Sequence, residues 1–311
     1  MYDFPQLKSG DKIALACPGS RCLDEQEAIT AKAYLEQQGF EVVYDKECYT
    51  YCSPVEKAGI FMRYLQDPTV KLIWLLRGGV GCADLLPTFE QQRSQLKQLV
   101  PTLLFGFSDF TVLLNYFAFQ FNWQVVHGMG AIHFANDFLD AESKRLSLDV
   151  IQGKLSYEIP GLKPLNTLAE QAGPINAVCC GGTLSLLNIA IADVWQFDVK
   201  DKILIIEDVN EKAYRIIRTL HYLQRIGFFN AAKAIVLGDF NARPIGNRPE
   251  EQAKAAADIL RYLDYFAETC DCPVFHTDYI GHGKTNSPVL FNYPVQLSAK
   301  GSLKFSGDRA I

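Results

Sequence analysis

With 311 residues, 49% of them apolar, the chain is long enough to bury a sizeable core and to divide into two domains. Its net charge of −5 is spread along the sequence with no basic stripe, so nucleic acid is not an expected partner. Nine scattered cysteines, without paired C-x-x-C motifs or zinc-type Cys/His spacing, predict reduced, buried thiols and a cytoplasmic location, and the lack of a basic-then-apolar leader or a long apolar run argues against export and membrane insertion.

Asp11 to Cys17 (DKIALAC) reads as a first buried strand, stopped by Pro18-Gly19-Ser20 and followed by a helix from Asp24 to Gln38 that Gly39 ends. Phe40 to Tyr44 is a second strand, Val55 to Leu65 a helix, and Val70 to Leu76 a near-continuous apolar strand. Thr102 to Phe105 forms another strand, broken by Gly106. The stretch from Asp109 onward is too long and too apolar for anything but a buried helix, and Trp123 to His127 adds one more strand. Strands alternating with helices at this spacing predict a parallel sheet covered on both faces. The polar, Pro/Gly-interrupted stretch from Gly153 to Gly173 has linker composition, which divides the chain into residues 1–160, a linker 161–173 and residues 174–311.

In the second half, Val178 to Thr183 opens an apolar helix, and Lys202 to Ile206 is a buried strand leading into Glu207-Asp208. Ile216, Leu220 and Leu223 mark an amphipathic helix. Ala234 to Leu237 is a strand ending at Gly238-Asp239, and Pro249 to Tyr265 is a helix. Pro273 to Phe275, Val289 to Phe291, Val295 to Leu297 and Leu303 to Phe305 read as short strands.

Ser108 falls on the sharp turn between a strand and a helix. A serine hydroxyl becomes a useful nucleophile only when it is exposed, aimed and set beside a base. Such a corner supplies the first two conditions and puts the Asp109 N–H at a helix N-terminus, where partial positive charge can stabilise an oxyanion. Gly106-Phe107-Ser108 matches the start of a nucleophile elbow, but Phe110 stands in the place of its last glycine. Taken by itself the segment favours a plain helix cap, a role suited to both Ser and Asp.

Arg77-Gly78-Gly79-Val80-Gly81 ends the third strand, where α/β folds bind ligands. Its glycines either let backbone N–H groups approach a substrate or simply permit a tight turn. No dinucleotide fingerprint follows the first strand. Of the five histidines, His282 is distinguished by Gly281 and Gly283 on either side, which predict a loop ring not locked into a core. Glu207 and Asp208 follow an apolar strand, a place from which side chains enter a cleft. Ser108, Glu207 and His282 permit a triad in the order Ser, acid, His, although loop histidines and strand-end acids are more commonly just solvated.

Four motifs, Leu76-Arg77-Gly78-Gly79-Val80-Gly81, Gly106-Phe107-Ser108-Asp109-Phe110-Thr111, Ile206-Glu207-Asp208-Val209-Asn210-Glu211 with Tyr214-Arg215, and Gly281-His282, resemble those of the LD-carboxypeptidases, the muramoyltetrapeptide carboxypeptidase family of serine peptidases. The match runs in order through nearly the whole chain. The resemblance implies a two-domain α/β protein, with an N-terminal parallel-sheet domain similar to class I glutamine amidotransferases and a smaller C-terminal α/β domain carrying the acid and the histidine. It makes Ser108 the nucleophile, Glu207 and His282 the other members of a triad, and the backbone N–H groups of Gly79 and Asp109 the oxyanion donors. It further implies a cytoplasmic homodimer that needs no metal or other cofactor and does not act at a membrane. Such enzymes remove the terminal D-alanine from murein tetrapeptides during peptidoglycan recycling, through an acyl-enzyme. Arg77 and Arg215 are candidates for contacts with substrate anions, or for holding the domains together.

Some positions depart from the family pattern. Val80 replaces a tyrosine, Thr183 an asparagine, and Ala213 and Ile217 a proline and an acidic residue; none is one of the three catalytic positions. Two other readings stand beside this one. A branch of the family resembles microcin immunity hydrolases, which cleave peptide-nucleotide antibiotics. Stacking a nucleobase calls for well-placed aromatics, and Trp74, Trp123 and Trp195 all fall in or near core-like segments. The other reading is a non-catalytic peptide-binding module in which Ser108 only caps a helix.

Overall fold

The computed structural model describes residues 4–241 and 249–307. The chain divides into two compact units of nearly equal length, one running to Lys154 and including Pro288–Asn292, the other made of Leu155–Ser287 and the chain from Tyr293.

In the first unit, β1 (Lys12–Ala16), β2 (Glu41–Tyr44), β3 (Val70–Leu75), β4 (Leu103–Gly106) and β5 (Val125–His127) pair in parallel in the order β2-β1-β3-β4-β5. Val289–Phe291 returns from far along the chain to pair antiparallel with β5. The parallel strands read as unbroken apolar runs because they are buried on both faces: Leu72, Ile73 and Trp74 of β3 have no accessible surface. The helices Glu25–Gln37, Pro54–Gln66 and Thr111–Gln120 lie between consecutive strands of the chain. The second begins in a reciprocal Ser53–Glu56 capping box. The third is buried from Thr111 to Ala118, so it is apolar all round rather than on one stripe. Phe61, Phe89, Phe110, Phe117 and Trp123 form an aromatic cluster at its side. The helix Ala141–Ile151 has no counterpart in the sequence reading, although Asp140 caps it by accepting the Ser143 N–H at 2.7 Å.

In the second unit, β8 (Ile175–Thr183), β9 (Ile203–Val209), β10 (Ala234–Asn241) and β11 (Val274–His276) are parallel neighbours in that order. They are preceded in the chain by β6 (Tyr157–Ile159) and β7 (Lys163–Pro164), and β7 pairs antiparallel with β11. The stretch 161–173, expected as a linker, thus carries β7 and the helical turn Thr167–Glu170. A hairpin of Pro294–Ser298 and Ser302–Phe305 pairs with β8 through its first strand and with β6 through its second.

Two elements correct the sequence reading. Val178 to Thr183, read as the opening of a helix, is extended, and the helix starts only at Leu184. The reason lies at Gly181, which has φ 115° and where a Cβ would sit 2.1 Å from the Ile205 carbonyl oxygen, so only glycine permits the close approach of β8 to β9. Likewise β9 does not stop at Ile206 but runs to Val209, taking Glu207 and Asp208 inside the strand. All nine cysteines are free and buried, as their spacing predicts.

Candidate active site

β4 ends at Gly106, and the chain passes through Phe107 into a short 3₁₀ turn, Ser108–Phe110, ahead of the helix Thr111–Gln120. Ser108 occupies the left-handed region at φ 53°. A side chain bearing a Cβ costs about 1–2 kcal/mol there, and such strain persists only where the surroundings over-determine it. Gly106 is part of that constraint, since a Cβ on it would lie 2.5 Å from the Phe110 ring and 2.7 Å from Leu75 Cβ. The close approach an elbow needs is therefore met at Gly106, which lets Phe110 fold back into the aromatic cluster where the pattern has a glycine.

From Thr102 to Ala118 every residue is buried except Ser108. Nor does Ser108 cap a helix. The cap positions of the 3₁₀ turn and of the helix fall on Phe107 and Phe110, with no side-chain cap bond at either. Among the described residues the Ser108 hydroxyl has no hydrogen-bond partner.

The loop Arg77–Gly81 follows β3 and runs beside this corner. A Cβ on Gly78 would be 3.0 Å from Ser108 Oγ. Gly79 has φ 144°, and a Cβ there would be 2.3 Å from the Ser20 side chain. Val80 N–H donates to Ser20 Oγ at 3.1 Å, while the Val80 side chain, at the place of the family's tyrosine, is 81% exposed. The buried Asp109 carboxylate accepts the Cys82 N–H through Oδ2 at 2.8 Å, which ties the residue after Ser108 to the far end of the glycine loop. Burial pushes that carboxyl above its ordinary range, against the lowering effect of the Cys82 hydrogen bond. The Gly79 N–H has no partner among the described residues, as a donor kept for a ligand requires.

In the second unit, Glu207 is fully buried in β9, with Oε2 2.5 Å from His282 Nδ1. Its other oxygen, Oε1, accepts the hydroxyl of Thr183 at 2.6 Å from the paired position of β8. His282 is not the loosely held ring expected from its flanking glycines; its side chain is 11% exposed. The loop is pinned at several points. Gly281, at φ 129°, packs on Asp239, Asp239 N–H donates to the Ile280 carbonyl at 2.7 Å, Ser287 N–H donates to the Tyr279 carbonyl at 2.7 Å, and the Asn286 amide donates to the Gly281 carbonyl.

Burial disfavours the charged imidazole, but the adjacent Glu207 carboxylate outweighs it and holds the His282 pKa above its ordinary value. Nδ1–H donating to the carboxylate leaves Nε2 as the basic nitrogen, the tautomer a general base needs. Asp208, buried beside Glu207, accepts the N–H groups of Ser185 and Val209, and its carboxyl is pushed up to about 7, by burial first and by the charge of Glu207 second.

Of the residues singled out in the sequence, Ser108, Gly79 and Asp109 lie together in the first unit, and Glu207 and His282 lie together in the second. Arg77 is half-buried and meets Glu27 at 3.4 Å. Arg215 is an exposed partner of Glu211 at 3.6 Å on the first turn of the helix Ala213–Arg225 and touches neither Glu207 nor His282 among the described residues. Two contributors escaped the sequence reading. Thr183 holds the acid, and the Asp109 side chain, not only its N–H, braces the corner. The only signal for Thr183 was its place after paired glycines, because which strand positions face one another is not written in the local sequence. Among the described residues no three His, Cys, Asp or Glu side chains are placed to hold a metal ion.

Residues 13–128 match the model of the LD-carboxypeptidase N-terminal domain, and residues 176–297 match that of the LD-carboxypeptidase C-terminal domain. The chain belongs to the LD-carboxypeptidase family. It is thus a carboxypeptidase of serine-peptidase type, with Ser108 inside the first matched segment and Glu207 and His282 inside the second. It is 29% identical over 223 residues to the murein tetrapeptide carboxypeptidase of Pseudomonas aeruginosa, covering 70% of this chain and 69% of that one. Among solved LD-carboxypeptidase folds, the muramoyltetrapeptide carboxypeptidase of Oxalobacter formigenes superposes with a TM-score of 0.79 at 22% identity, over 96% of this chain and 100% of that one. An MccF-like protein of Streptococcus pneumoniae, solved in complex with AMP, gives a TM-score of 0.80 at 16% identity, over 96% of this chain and 99% of that one. At these identities the two structures establish a shared fold.

Proposed function

We propose that this LD-carboxypeptidase is a cytoplasmic homodimer that releases the terminal D-alanine of murein tetrapeptide in peptidoglycan recycling, with Ser108, His282 and Glu207 as its triad. The observation that carries the reading is the state of Ser108. It is a strained residue whose hydroxyl is uncommitted, the one opening in a buried segment, and it sits beside a glycine loop with a spare N–H. The short contact between His282 and Glu207 supports a base already in the right tautomer. The substrate class follows from the relationship to the Pseudomonas aeruginosa enzyme.

In this mechanism His282 Nε2 takes the Ser108 proton as Oγ attacks the carbonyl that precedes D-alanine. Glu207 offsets the imidazolium charge through Nδ1. The Gly79 and Asp109 N–H groups receive the oxyanion, each donor contributing roughly 3 kcal/mol in comparable sites. The imidazolium returns its proton to the amine of D-alanine, which leaves an ester on Ser108. His282 then deprotonates the water that hydrolyses this ester, and the serine is regenerated.

The test is incubation with a synthetic murein tetrapeptide, following release of D-alanine and, by mass spectrometry, an acyl adduct on Ser108. Release without dependence on Ser108, or no release, sinks the proposal. A peptidyl-adenylate assayed alongside addresses the microcin-immunity reading. That reading is weakened by the burial of Trp74, Trp123 and Trp195, which have at most 2% of their surface accessible, so no tryptophan is offered to a nucleobase.

A further inference from the structure

The loop that carries the Gly79 N–H has glycine at 78, 79 and 81, so it cannot hold one conformation through its own preferences. A donor aimed at a developing charge is useful only if it stays in place, and the restraint must therefore come from outside the loop. One restraint is the bond from the Cys82 N–H to Asp109 at the far end. Another comes from residues 18–21, the chain just after β1, which no step of the mechanism uses.

Ser20 is the main contact. Its Oγ accepts the Val80 N–H at 3.1 Å, which fixes the peptide plane that follows Gly79. Its side chain also stands 2.3 Å from where a Cβ on Gly79 would sit, so Ser20 and Gly79 touch only because residue 79 is a glycine at φ 144°. Gly19 packs on the same loop. Its Cα is 3.6 Å from where a Cβ on Gly81 would sit, and a Cβ of its own would lie 2.4 Å from Asp109 Oδ2. Lys57 Nζ, from the helix Pro54–Gln66, donates to the Gly19 carbonyl and ties this segment to that helix. The segments that follow β1, β3 and β4 thus interlock beside the Gly79 donor.

We propose that Ser20 is a positioning residue for the reaction: by holding the Val80 N–H it sets the direction of the Gly79 N–H, and Lys57 keeps Ser20 in place through Gly19. The inference rests on the reading of Ser108 as nucleophile and of Gly79 as oxyanion donor.

The experiment measures two rates in the full-length protein. One is hydrolysis of a synthetic murein tetrapeptide, and the other is phosphonylation of Ser108 by an alkyl fluorophosphonate, whose phosphoryl oxygen gains charge at the same donors. Titration of reactive Ser108 with that reagent normalises kcat, so that loss of folded protein is not counted as loss of positioning. Ser20→Ala removes the acceptor without adding an atom and should lower normalised kcat by about tenfold, less than the loss of a whole oxyanion donor, with KM nearly unchanged. Phosphonylation should slow by a similar factor. Ser20→Thr, which keeps the hydroxyl, should retain most of the wild-type rate, and Lys57→Met should act in the direction of Ser20→Ala but more weakly. An unchanged normalised kcat in Ser20→Ala, a change confined to KM, or a Ser20→Thr variant as slow as Ser20→Ala overturns the inference while hydrolysis stands. If the peptide is not cleaved but Ser108 is labelled, the phosphonylation rates decide in the same way. A wild type that neither cleaves the peptide nor reacts at Ser108 fails the catalytic reading itself, and the role of Ser20 falls with it.

Discussion

The two halves of the proposed machinery are built by different physics. Around Ser108 the work is done by backbone. A left-handed serine, glycines at 79 and 106 that leave no room for a Cβ, a glycine at 78 where a Cβ would be crowded, and main-chain N–H groups shape the corner. Around His282 it is done by side chains brought together from β8, β9 and a distant loop, joined by a charge-assisted bond of 2.5 Å and a hydroxyl contact of 2.6 Å. Steric construction of the first kind tolerates almost no added atom. Electrostatic construction of the second kind accepts substitution without collapse but titrates. The contrast teaches that rigidity can be reached for two unrelated reasons, and the proposed machinery can be broken in either half.

The largest effect should come from Ser108→Ala, with kcat falling by about 10⁴-fold or more while the melting temperature barely moves. Its companion Ser108→Gly should be equally inactive but more stable by up to about 1 kcal/mol, because glycine relaxes φ 53°. A lower melting temperature in the glycine variant would show that the corner is not strained. Next, Glu207→Gln should lower kcat by roughly 10²–10⁴-fold, in line with loss of the acid in other triads.

That variant also carries a pH signature. The base must be neutral to act, and His282 is held above its ordinary value, so wild-type kcat/KM should rise with pH through a limb above about 6.5. In Glu207→Gln the limb should move to lower pH, and an unmoved limb would dissociate it from His282. The stabilising side of the same pair runs in the matching direction. It is fully present below the unfolded histidine value and is lost as pH rises through the raised folded one.

Gly78→Ala is expected to reduce kcat by about 10²-fold, since its methyl would press on Ser108 Oγ at 3.0 Å, and displacements of this size at reacting atoms are costly. Steady-state kinetics with an unchanged circular-dichroism spectrum would separate this from unfolding. The smallest effect should be that of Thr183→Val, a nearly isosteric change that removes the hydroxyl from Glu207 Oε1. A stability loss of about 1–3 kcal/mol by denaturant titration, with a fall in kcat smaller than that of Glu207→Gln, is the expected outcome. A loss of activity as complete as in Glu207→Gln would mean that the threonine does more than hold the acid.

Much of this was legible in the sequence. Runs such as Val70 to Leu75 and Leu103 to Phe105 announce buried parallel strands because continuous apolar sequence has no other stable place, and Gly39 ends its helix by simple conformational preference. The residues of the Ser108 corner could be named because a strand-to-helix turn is a local event. The helix Ala141–Ile151 was missed, as was the strand character of Val178 to Thr183. The latter was missed because paired glycines and an apolar run are compatible with a helix start until a neighbouring strand claims them.

Composition and local order determined the α/β class, the burial of the thiols and the identity of the motif residues, since each depends on preferences acting over a few neighbouring positions. Only the tertiary structure decided that Ser108 is strained rather than a cap, that Glu207 lies inside a strand with Thr183 opposite it, and that the ring of His282 is pinned rather than loose. Those outcomes depend on strand register and on contacts between residues 24 and 75 positions apart, and no local preference encodes them.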